Sequence, residues 1–97
     1  NKILIDDLES HISEGGFFLK FRSGIFDDVA FQKGIVSLEA IDFSKDLISK
    51  RIVAILWDYQ QVLFGNSELV MTLSKDKTKV KNAISEIEEI MVKKIFN

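Results

Sequence analysis

Apolar residues recur three or four positions apart over most of this chain, the spacing that gathers side chains on one face of a helix. The pattern is strongest over Ser44–Gly65, where Leu47, Ile48, Ile52, Ile55, Leu56, Tyr59, Val62 and Leu63 fall at helical spacing. This stretch predicts a central helix. Ser44 or Asp46 supplies a side-chain acceptor for its free N-terminal amides, and Gly65 supplies the left-handed residue that ends many helices. A second stripe, Val80, Ala83, Ile84, Ile87, Ile90, Met91 and Ile95, predicts a last helix from about Asp76 to Phe96, with Lys and Glu on its other faces.

Shorter periodic segments fill the rest. Ile5, Leu8 and Ile12 predict a first helix over about 4–14, closed by Gly15 and Gly16. Phe17–Arg22 is a short apolar run between glycines, compatible with one or two helical turns or with a strand; its neighbours favour helix. Asp27 or Asp28 then caps a third helix that carries Phe31, Ile35, Leu38 and Ile41 and runs to Phe43. Ser67–Leu73 reads as a separate short segment, made β-compatible by Val70 and Thr72.

The predicted architecture is all-α: one helical domain over 1–97, a bundle of five or six helices with long ones at about 44–65 and 76–96. The alternative is α+β, with 17–21 and 69–73 paired as a two-stranded element. Ninety-seven residues with 46% hydrophobic and 29% charged positions suit one globular domain.

Charge adds an asymmetry to this picture. The net charge is −2, but residues 1–47 hold nine acids against five bases, and residues 48–97 hold six against eight. An acidic half favours a cationic protein partner over nucleic acid. The basic cluster Lys75, Lys77, Lys79 and Lys81 has no interleaved aromatics and is followed by glutamates, which speaks against a phosphate backbone as ligand.

Candidate chemistry is sparse. The chain has no cysteine, which removes disulfides and thiolate sites. The sole histidine, His11, stands four residues after Asp7, a spacing that suits an oriented base or two metal ligands. No third group is evident nearby, so His11 is expected as an exposed helix histidine with an ion pair. Asp27 with Asp28, and Glu86 with Glu89, are better explained as caps and solvated faces than as an acid and base. No glycine-rich phosphate loop is present. The expectation is therefore a chain that is not an enzyme and takes no cofactor or metal.

No apolar run approaches the roughly 20 residues needed to cross a bilayer. Acids at Asp6 and Asp7 interrupt any signal-peptide core, so a cytoplasmic location is expected.

The aromatics are more informative: eight Phe, one Trp and one Tyr are more than so small a bundle buries completely, and surplus aromatics at a rim serve as anchors for a partner. Trp57, Asp58 and Tyr59 are consecutive on one helix and cannot all face inward. Asp58 is expected at the surface, with Trp57 or Tyr59 at the edge beside it.

Residues 19–31, Leu-Lys-Phe-Arg-Ser-Gly-Ile-Phe-Asp-Asp-Val-Ala-Phe, resemble small helical immunity proteins of bacterial contact-dependent growth inhibition systems. Those proteins often combine a short apolar helix, an Arg-x-Gly turn, Phe-Asp-Asp or Phe-Asp-Glu, an amphipathic helix and a second long helix. The resemblance implies a cytoplasmic bacterial protein that binds its cognate toxin domain one to one and blocks the active site, commonly on a nuclease with a basic groove. No residue role is carried over position by position.

On this reading the partner-binding residues expected from charge and aromatic placement are Asp27, Asp28, Glu39 and Asp42 from the third helix, with Trp57, Asp58 and Tyr59 from the central one. The competing reading is a helical adaptor or regulatory subunit that dimerises through the last helix. That helix offers only about two heptads, too short for an independent coiled coil, and is expected to pack within the domain.

Overall fold

The computed structural model describes residues 2–42 and 50–96. The described residues form five α-helices and no strand: α1 Lys2–Ser10, α2 Phe17–Arg22, α3 Asp28–Glu39, α4 Lys50–Ser74 and α5 Lys77–Phe96. The all-α expectation holds, and both segments that could have paired as strands are helical.

Three boundaries differ from the sequence reading. α1 stops at Ser10, four residues before the expected end, and residues 11–16 form turns closed by the Phe18 amide donating to the His11 carbonyl at 2.8 Å. Gly16 is required there, because a Cβ would meet the backbone of Ser10 and His11. α3 ends at Glu39, with Ile41 still buried just beyond it.

The third difference is larger. α4 runs unbroken through Gly65 to Ser74, so 44–65 and 67–73 are not separate elements. The proposed caps Ser44 and Asp46, and the proposed end of α3 at Phe43, lie outside the described residues. Glycine inside a helix costs about 1 kcal/mol against alanine, and packing of the last turns offsets that here. Val70 is fully buried, and Leu69 and Leu73 close over Gly24, whose φ of +85° turns the chain between α2 and α3. The reversal into α5 comes later, at Lys75 with φ +58°, and the Asp76 carboxylate then caps α5 by accepting from the Lys79 amide at 3.0 Å.

α3 and α4 each pack against α1, α2 and α5 and, among the described residues, make no close backbone approach to each other. The core they share with the other three helices is aromatic. Phe17, Phe18 and Phe21 of α2 are buried, Phe17 packs on Phe26 and Phe31, and Phe18 stacks on Tyr59 of α4. From α5 the buried residues are Val80, Ala83, Ile87 and Met91, so its stripe is spent inside the domain.

Candidate functional site

The residues expected to bind a partner divide between the α3 region and α4. Asp27 is the N-cap of α3: one carboxylate oxygen accepts from the Ala30 amide at 3.1 Å and the other from Lys20 Nζ at 2.5 Å. The Lys20 hydrogen bond, followed by the Ala30 amide, holds the Asp27 carboxyl below its usual range. Its local role is structural. Asp28 is exposed and pairs with Lys79 Nζ at 2.7 Å, which also lies 5.1 Å from the centre of the Phe26 ring. That contact joins α3 to α5 and gives one lysine of the basic cluster an intramolecular role.

Glu39 and Asp42 are exposed near the end of α3. Val29 and Val36, two turns apart, are also exposed, so apolar and acidic groups share the outward face of α3. Asp28 and Glu39 lie three turns apart on one flank of that face.

On α4, Trp57 is 65% exposed and Asp58 is exposed beside it. Tyr59 departs from the expectation: it is 0% exposed and its hydroxyl donates to the Leu8 carbonyl. Burial raises its pKa, with the Asp7 charge adding to the effect. It belongs to the core and offers nothing to a partner. Phe64, not singled out by the sequence, is 72% exposed on the same side of α4 as Trp57. The signal for it was its spacing from Trp57, seven residues or two turns.

A cleft of about 450 Å³ opens between α2 and α4, lined by Ile12, Phe18, Leu19 and Val62 with Arg22, Asp58, Gln61 and Asn66. Its apolar floor and mixed-charge rim suit a side chain of a neighbouring molecule.

His11 corrects the sequence reading. It is only 6% exposed and lies past the end of α1, where its Nε2 is 2.8 Å from Ser37 Oγ. Ser37 Oγ in turn donates to Asp7 Oδ2, so the third group that the Asp7–His11 pair lacked in sequence arrives from α3, 26 residues away. Burial, opposed by the Asp7 charge, lowers the His11 pKa. Because the serine proton is directed to Asp7, the imidazole must donate to Ser37 rather than accept its proton. A buried serine held this way ties α1 to α3, and the order Asp–Ser–His is not the order in which a base activates a nucleophile.

Among the described residues no group of three or more His, Asp or Glu is placed to hold a metal ion, and no helix is long and apolar enough to cross a membrane. No family model, curated protein or solved structure matches this chain.

Proposed function

We propose that this chain is a binding module that neutralises a cognate bacterial toxin domain, docking the acidic α1–α3 side of the bundle into a cationic cleft and covering the active site. The observation that carries the reading is the outward face of α3, where exposed Val29 and Val36 are flanked by Asp28 and Glu39, with Lys33 between them and Asp42 exposed just past the helix end. Exposed apolar residues rimmed by carboxylates suit a cleft built for phosphates: the acids steer encounter and the valines supply contact. Segregation of charge supports it further, since residues 2–42 hold eight acids against four bases. Trp57 and Asp58 stand on α4 and fall outside this surface.

The alternative, an adaptor acting through protein–protein contacts, draws support from the exposed aromatics of α4. The first reading is tested by co-expressing the chain with candidate toxin domains from neighbouring genes, through co-purification and association rates across a salt series. A tight complex whose association slows as salt rises supports it; the absence of a complex, or a salt-independent rate, counts against it.

A further inference from the structure

We propose that the groove between α3 and α5 is an arginine-binding site, which receives a guanidinium of the partner protein beside Lys79. A cavity of about 460 Å³ opens there. Lys79, Asn82, Ala83 and Glu86 form its α5 wall, a single stripe of that helix, and Asp28 and Gln32 stand on the α3 side. Between the walls lie the rings of Phe26 and Phe31, the second of them buried.

One end of the groove already holds a cation. Lys79 Nζ lies 2.7 Å from each oxygen of the Asp28 carboxylate and 5.1 Å from the centre of the Phe26 ring. An ammonium seated against a carboxylate and an aromatic ring shows the chemistry that this surface accepts.

One lysine does not neutralise the groove. Its lining carries three carboxylates, Asp28, Asp76 and Glu86, against that single ammonium. Asp28 is engaged through both oxygens and Asp76 caps α5, whereas Glu86 has no ion-pair or hydrogen-bond partner among the described residues. Seven residues, about 10 Å of helix, separate Glu86 from Lys79. The uncompensated charge therefore lies at the far end.

The neighbours of Glu86 select the kind of cation. The side-chain amides of Gln32 and Asn82 line the same groove and have no hydrogen-bond partner among the described residues. A carboxylate and two amide carbonyls beside aromatic rings fit a guanidinium, whose donors lie in one plane and whose faces stack on rings. A metal ion fits poorly, since among the described residues no group of three or more His, Asp or Glu is placed to hold one. A phosphate is opposed by the net negative lining.

The groove adjoins the α3 surface assigned to the toxin domain. Gln32 stands three residues after Val29 and four before Val36, on the same side of the helix as both. The source of the arginine, a toxin domain, rests on that reading; the affinity of the groove for a guanidinium does not.

Nuclear magnetic resonance of the isotope-labelled chain, titrated with N-acetyl-arginine amide at constant ionic strength, tests this. The expected result is a saturable shift of the Gln32 and Asn82 side-chain amide resonances, which the uncharged isostere N-acetyl-citrulline amide does not produce. Glu86→Gln alters an exposed position and is expected to weaken binding about threefold or more, whereas Glu89→Gln, exposed on α5 outside the groove, is expected to leave it unchanged. Shifts that fail to saturate, that the citrulline amide reproduces, or that survive Glu86→Gln overturn the proposal. With a toxin domain that forms a complex, Glu86→Lys is expected to weaken binding on the order of tenfold. A complex indifferent to Glu86→Lys overturns the docking role and leaves the toxin reading intact. Binding of the arginine probe without any toxin complex upholds the groove and counts against the toxin reading alone.

Discussion

Phe18 and Tyr59 stack face to face with ring centroids 4.0 Å apart and planes 14° from parallel, joining the shortest helix to the longest. The same tyrosine donates its hydroxyl to the Leu8 carbonyl, so one side chain ties α1, α2 and α4 together. Tyr59→Phe keeps the stack and loses the donor. The Leu8 carbonyl retains the His11 amide at 3.3 Å, so the expected cost is about 1 kcal/mol, the net worth of one hydrogen bond. Tyr59→Ala removes the ring and is expected to cost about 3–5 kcal/mol. Urea unfolding followed by far-ultraviolet circular dichroism measures both. Trp57 fluorescence is the poorer probe, because its ring is largely in water before unfolding.

His11 gives the fold a defined acid response. Its folded-state pKa lies below the ordinary 6.5 chiefly through burial, so the unfolded chain binds the proton more readily. Its contribution is complete above that value, decreases as pH falls below it and levels off once the folded imidazole also protonates. Asp7 opposes this shift and Lys33 reinforces it, while the neutral Ser37 holds the ring. Melting temperature is therefore expected to decline from neutral pH towards pH 5, and His11→Asn is expected to flatten that part of the profile. An equally steep decline in the variant would show that another group is responsible.

Three glycines separate by what surrounds them. A Cβ at Gly65, inside α4, or at Gly34, inside α3, meets nothing within 4 Å, so Gly65→Ala and Gly34→Ala are each expected to stabilise by about 0.5–1 kcal/mol. Gly24 has φ +85°, and a Cβ there strikes Leu73 and lies 3.2 Å from Leu69 Cγ, so Gly24→Ala is expected to destabilise. Thermal melts of the three variants check the opposite signs.

These glycines also show where the sequence was legible. At Gly65 a helix end was expected, because a helix followed by glycine is a common stop. What carries α4 onward is tertiary: Val70 reaches the core and Leu69 and Leu73 cover Gly24, a partner some 45 residues earlier that periodicity within α4 cannot reveal. The helical type of 17–22, the Asp27 cap and the buried stripe of α5 depend on local pattern and were legible for that reason. His11 was misread because its burial depends on Ser37, which only the packing of α3 on α1 brings to it. Likewise Trp57 and Tyr59 were interchangeable at the helix edge until the Phe18 ring showed which of them turned inward.

The toxin-binding and adaptor readings place the partner on different helices, α3 and α4, so one set of variants separates them. Glu39→Lys with Asp42→Lys reverses charge on the α3 side of the bundle. The pair is expected to slow association with the toxin domain on the order of tenfold at low salt, with the difference shrinking as salt rises, because charges of this kind act mainly through encounter. Trp57→Glu, on exposed α4 surface, is expected to leave that association rate as it was. Stopped-flow association decides the matter: if Trp57→Glu slows it as much as the α3 pair does, the toxin-binding surface extends onto α4 and its assignment to α3 fails.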